Sequence, residues 1–245
     1  MLKEPNIVRV LNCPCTIANE KHYESIISDK LRERKNIIVV AINLRKIVLY
    51  NSNPEFKEIF TQSNVLPVPD GIGATIPMRL FNKTKTKKID FPGFMFDFCN
   101  NNKIRCYFLG TTDSNNEKAV KEIRRAYPGI IISGRHSGFD IKERYLINDW
   151  LKNRTQVVFV AMGSPRQELL SARLAKKCPG VIFVGVGGRF DILAGAKKRA
   201  PKVFILLNLE WAYRYFSDPR RIIQQKKDLI LYFSLISKKL FLKSD

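Results

Sequence analysis

Three short runs in this chain, Ile37–Ile42, Val157–Ala161 and Val181–Val186, are apolar at every position rather than at every second one. A strand with one wet face alternates. A β-branched run that does not alternate has to be covered on both faces, which is the condition of strands in a parallel sheet. Segments with helical spacing lie between such runs, as in Asn19–Arg34, where Tyr23, Ile26, Ile27 and Leu31 fall on one stripe. Strand and helix alternate at least five times. The pattern predicts an α/β fold, a Rossmann-like and mostly parallel sheet flanked by helices.

Further strands are expected at Ile7–Leu11, Val65–Val68, Arg105–Leu109 and Ile130–Ser133. Helices are expected at Leu44–Tyr50, Pro54–Thr61, Ala74–Phe81, Pro92–Asn101 and Ile141–Lys152, and after the turns at 111–114 and 163–168. Asn82–Asp90 reads as a polar, basic loop, either a solvated turn or a mobile loop over an anionic ligand. Residues 1–195 form the α/β domain in this reading, and 196–245 a basic, amphipathic helical appendage.

In such folds ligands sit at the carboxyl ends of the strands. Those ends carry Asn43, Asp70-Gly71-Ile72-Gly73, Gly110-Thr111, His136, Gly163-Ser164-Pro165-Arg166-Gln167-Glu168 and Gly185–Asp191, with Gly187, Gly188, Arg189 and Phe190 inside the last. Glycines admit a ligand close to the backbone, and helix N-termini beyond the turns suit phosphate. No G-x-x-x-x-G-K-[ST] and no G-x-G-x-x-G occurs, which disfavours nucleoside triphosphatases and ordinary dinucleotide enzymes. Asp70 at a strand end suits a general base toward a sugar hydroxyl, or an N-cap for the next helix. Glu168 reads as helix-start chemistry. Gln167 has no capping need and suits a ligand hydrogen bond. Asp191 could accept from a base or ribose, or cap a helix. His136 has no triad partners nearby, and no Asp-x-Asp pair is present to hold a metal on a nucleotide diphosphate.

The net charge of +21 calls for anionic partners: a phosphorylated substrate, an acidic membrane surface or nucleic acid. Against nucleic acid, the basic residues are dispersed and no DNA- or RNA-binding module is visible. The five cysteines include no C-x-x-C pair and stand with only two histidines, so neither a disulfide framework nor a zinc site is expected. The opening MLKEPNIVRVLN lacks the apolar core of a signal peptide, and Leu229–Ile236 is too short to span a bilayer. Twelve Lys/Arg against four Asp/Glu after residue 195, interleaved with aromatics, suit a segment lying in the headgroup layer. Core packing or a homo-oligomer interface are the other readings of that tail. A cytoplasmic protein peripheral on the inner membrane face is expected.

The ordered motifs FVAMGSPRQE, GVGGRFDILAGAKKRAP and NLEWAYRYFSDPRR, with PDGIG, YFLGTT, YPG and GRHSGF upstream, strongly resemble the WecG/TagA/CpsF glycosyltransferase family over about residues 7–225. The resemblance implies inverting, metal-independent transfer of a sugar, N-acetylmannosamine-type or another hexose, from a UDP-sugar to an undecaprenyl-diphosphate-linked acceptor, with no cofactor. It implies that Asp70 is the catalytic base. Asn43, Gly71, Gly73, Gly110, Thr111, His136, Gly163 and Gln167 would line the pocket, and Gly187, Gly188, Phe190 and Asp191 the nucleotide side. Lys88, Arg199, Arg214, Arg220 and Arg221 would reach the acceptor diphosphate or the membrane. The chain departs from the family with Ala41 for the usual Thr, Lys88-Ile89-Asp90-Phe91-Pro92-Gly93 for Arg-Val-Thr-Gly-x-Asp, and Asn208 for Gly. A sugar-nucleotide binder without activity, and a nucleic-acid-binding protein, are the alternative functions.

Overall fold

A computed structural model describes residues 6–84, 89–198, 200, 201, 204 and 219–241, the last segment with side chains from 226 onward. Six strands form one fully parallel sheet: β3 (Ile37–Ile42), β4 (Val65–Pro69), β5 (Arg105–Gly110), β6 (Ile131–His136), β7 (Val157–Ala161) and β8 (Ile182–Gly185). Their order across the sheet is β4-β3-β8-β7-β5-β6. The unbroken apolar runs are doubly covered, as their lack of alternation requires. Ile38, Val40 and Ile42 enter one core and Ile37, Val39 and Ala41 the other.

The first core lies under α2 (Leu44–Ser52), α3 (Pro54–Glu58), α4 (Ile72–Asn82), α7 (Glu143–Lys152) and α8 (Arg166–Ala175). The second lies under α1 (Glu20–Arg32), α5 (Phe91–Asn101), α6 (Asp113–Ala126) and the short α9 (Arg189–Leu193). Phe159 at its centre is fully buried and contacts Phe96 and Phe108 at centroid distances of 4.5 and 5.6 Å. A final helix, α10 (Pro219–Phe241), packs on α2 through a stripe that includes Asp228, Tyr232, Leu235 and Ile236.

One element was missed. Cys13–Ile17 is a strand, β2, paired antiparallel with β1 (Asn6–Val10) in a hairpin beside β4 and α4. Pro14 hid it, since proline lacks the ladder donor and is tolerated only at such an edge. Cys13 and Cys15 are buried there, and burial raises both thiols, Cys15 to about 12. Elsewhere the boundaries move by one to three residues, and β6 runs on through Gly134 to His136.

Candidate active site at the carboxyl ends of the strands

The sheet order sets the turns in a row: Asp70 after β4, Asn43 after β3, Gly187 after β8, Gly163 after β7, Thr111 after β5 and His136 ending β6. From β3 to β5 the helices following adjacent strands leave to alternate faces, α2 and α8 to one and α9 and α6 to the other, while α4 after β4 leaves to the same face as α2. A crevice therefore opens between the strand ends, where such sheets bind ligands. Adjacent strands are about 4.8 Å apart, so Asp70 stands about 10 Å from the Gly187 turn and about 19 Å from Thr111.

Asp70 does not cap α4. The N-cap is Gly71, at φ 70°, with no side-chain capping bond. The Asp70 backbone N–H donates to the Ile42 carbonyl at 2.8 Å, tying the ends of β4 and β3 together. Asn43 caps α2, its Oδ1 accepting from the Lys46 N–H at 3.3 Å. The same side chain turns its Nδ2 to Asp70 Oδ2 at 3.4 Å. One asparagine thus starts a helix and orients the carboxylate of the neighbouring turn.

Gln167 is buried, and both ends of its amide are engaged inside the protein. Its Oε1 accepts from the Gly187 N–H at 3.1 Å, and its Nε2 donates to Glu168 Oε1 at 2.8 Å. Gly187 takes φ 56°, a region glycine adopts without strain, and nothing lies within 4 Å of where a Cβ would stand, so its backbone faces open space. Gly163, at φ 72°, and Gly188 likewise border open space.

Glu168 proved more than helix-start chemistry. Its carboxylate is buried; Oε1 also accepts from Ser164 Oγ at 3.0 Å and lies 3.4 Å from Lys46 Nζ, itself buried. The ion pair joins α8 to the first turn of α2, three residues after Asn43. The sequence signal for it was a lysine and a glutamate each set in a helix whose neighbours are mostly buried.

On the far side Asp191 is not a cap either; Gly188 is the N-cap of α9. Burial pushes its carboxyl up, but hydrogen bonds from Lys197, Thr111 and Asn115 outweigh that and hold it below the ordinary value. Thr111 is in the left-handed region at φ 51°, which is uncommon for a β-branched residue and costs about 1–3 kcal/mol. Its N–H donates to the Ala161 carbonyl at 3.0 Å, its carbonyl accepts from Gly138 at 2.7 Å, and its hydroxyl donates to Asp191. The strained residue thus holds together the turns after β5, β6, β7 and β8. Gly110 lies so close to Ala161 that a Cβ would strike its carbonyl.

The Phe190 ring is fully buried, 6.0 Å from Phe108, and contributes the placement of α9. His136 Nδ1 donates to the Ser137 carbonyl at 2.8 Å. Asn116 Nδ2 lies 2.9–3.1 Å from the carbonyls of Phe108, Gly110 and His136, fixing the strand ends from below. Arg189 Nη1 meets both Asp90 oxygens at 2.8 Å, a pair joining the starts of α9 and α5 that sequence reasoning missed and that no local pattern signals. Lys88, Arg199 and Arg214 lie outside the described residues, as do the side chains of Arg220 and Arg221.

The model of the glycosyl transferase WecG/TagA/CpsF family matches residues 8–245. The chain belongs to this family. Among similar proteins of known activity, one from Bacillus spizizenii is 29% identical over 194 residues, covering 78% of this chain and 75% of the relative. One from Bacillus subtilis is 29% identical over 206 residues, covering 82% and 77%. One from Staphylococcus aureus is 27% identical over 209 residues, covering 83% and 81%. Each is named an N-acetylglucosaminyldiphosphoundecaprenol N-acetyl-beta-D-mannosaminyltransferase. For this WecG/TagA/CpsF glycosyltransferase, the row of turns is the candidate active site.

Two outcomes follow from the geometry. Lys46→Met leaves a buried carboxylate without its cation and should cost about 3–5 kcal/mol in urea unfolding; adding Glu168→Gln should recover much of that loss. A double variant no more stable than Lys46→Met would show that the pair is not coupled. For Asp191 the depressed native pKa contributes stability that is complete above the ordinary value of 3.8 and disappears as pH falls through the native value. Thermal melts of wild type and Asp191→Asn should differ at neutral pH and converge in acid.

Proposed function

We propose that the chain transfers a sugar from a UDP-sugar to a sugar carried on a polyprenyl diphosphate. Its relatives' names give N-acetylmannosamine as the sugar moved and N-acetylglucosaminyl-diphosphoundecaprenol as the acceptor. The observation that carries the reading is the Asp70 carboxylate at the end of β4, steered by Asn43, while the N-cap position of α4 is Gly71. In this reading the acceptor hydroxyl oxygen attacks the anomeric carbon of the donor as its proton passes to Asp70. The bond from that carbon to the diphosphate oxygen breaks, and the electron pair leaves with UDP. A single displacement inverts the anomeric centre.

The nucleotide side is assigned to the Gly187-Gly188 turn, Thr111 and Asp191. The diphosphate charge that develops falls to backbone N–H groups and to basic side chains, the usual means of stabilising such a leaving group without a metal. Among the described residues, no three His, Cys, Asp or Glu side chains are grouped to hold a metal ion.

The acceptor's lipid calls for a membrane surface. No helix among the described residues is long and apolar enough to cross one. While one stripe of α10 packs on the domain, Ile230, Phe233 and Phe241 are exposed, as are Lys226, Lys227, Lys238 and Lys239. That combination suits the headgroup layer of an anionic membrane.

With a panel of UDP-sugars and polyprenyl-diphosphate acceptors, wild type should release UDP, and Asp70→Asn should lower kcat by about a hundredfold or more, the worth of a general base. Equal release would remove Asp70 from that role, and UDP binding with no turnover would favour a binding protein. In flotation with anionic vesicles, Phe233→Ser with Phe241→Ser should weaken partition by about tenfold or more, given the apolar area lost. Unchanged partition would sink the membrane reading.

A further inference from the structure

α4 begins five residues before its own weak point, Pro77. The Gly73 carbonyl should accept from the N–H four residues on, but that residue is Pro77, which has none. A carbonyl left unpaired beside the core is costly. The missing donor comes from the far end of the chain: Tyr232 of α10 donates its hydroxyl to the Gly73 carbonyl at 2.7 Å, with its ring buried.

The same helix is bolted to α2. Arg45 Nη1 meets Asp228 Oδ1 at 2.5 Å, and Asp228 is buried. Arg45 comes two residues after Asn43, and Gly73 three after Asp70. The two helix starts also touch each other, since a Cβ on Gly73 would stand 2.7 Å from the Leu44 nitrogen. These two polar contacts of α10 therefore fall on the first turns of the two helices that follow Asn43 and Asp70.

We propose that Tyr232 is a positioning residue for Asp70: its hydroxyl completes the first turn of α4, and with the Asp228–Arg45 pair it fixes the Asp70 turn against Asn43. This rests on the reading of Asp70 as base. It adds that the base is held in place from α10, by the bond that Pro77 leaves open.

Pro77→Ala restores the missing N–H, which gives the decisive test. Tyr232→Phe should lower kcat about three- to tenfold, the worth of one hydrogen bond, with the donor KM unchanged. It should also speed amide hydrogen exchange at Ala74 and Thr75 and lower the melting temperature by a few degrees, the cost of a buried carbonyl without its donor. In a Pro77→Ala background the same Tyr232→Phe change should have little further effect on either readout. A role in packing alone would not be rescued this way. The proposal is overturned if Tyr232→Phe leaves kcat and exchange at α4 as in wild type, if exchange rises evenly through the molecule, or if Pro77→Ala gives no rescue. Should wild type turn over no donor, the enzymatic reading fails by itself, and the exchange data still decide whether Tyr232 holds the α4 turn.

Discussion

The site depends first on one buried carboxylate. Glu168 Oε1 receives Ser164, Gln167 and Lys46 together, which brings the turn after β7, the support of the turn after β8 and the first turn of α2 to a single point. Charges taken from water need partners on all sides. Here three partners gather on Oε1, while the buried Oε2 has no hydrogen bond among the described residues, and that gathering fixes the relative height of three strand ends. Gln167 then passes the constraint outward to the Gly187 backbone. The residues that border the open crevice are mostly glycines and main chain, and what holds their shape lies one layer below.

The crevice has two differently built halves. On the β4–β3 side a side-chain amide orients a carboxylate, and the contacts are lateral, between neighbouring turns. On the β7–β5–β6 side the fixing is by backbone strain: Thr111 takes an unfavourable φ, and all three of its polar groups are bound. Strain of this kind persists only where the surroundings over-determine it. A half that aims a reactive group and a half that holds a rigid cradle suit the proposed division between acceptor activation and nucleotide binding.

The legible parts of the fold were those set by local pattern. Ile37–Ile42 and Val157–Ala161 could be placed to the residue because a doubly buried strand has no polar position to blur its limits. The stripe of Tyr23, Ile26, Ile27 and Leu31 announced α1, and the turn at 111–114 announced α6; the structure adds that Asn19 and Thr112 are their caps. The hairpin strand Cys13–Ile17 was not legible, because a proline in its second position argues against a strand unless the edge is known. In the site, position along the chain brought out Asn43, Asp70, Thr111 and Asp191, but not what each touches. Asp90 and Arg189 are 99 residues apart, and Tyr232 and Gly73 are 159 apart. Such pairs carry no periodic signal. Once α4 is known to start at Ile72, the spacing of Gly73 and Pro77 leaves a carbonyl without its helical donor, and only the fold shows what supplies it.

That last contact bears on the order in which the molecule is made. Of the described elements α10 is synthesised last, after every strand of the sheet. Domains condense from the N-terminal side during synthesis, and long-range contacts wait for the later segment. The sheet and the turns after β7, β5 and β6 can therefore form while the start of α4 still has an open carbonyl. The Asp70 turn reaches its final shape only when the last helix arrives, so a nascent chain passes through a stage with a finished scaffold and an unfinished site.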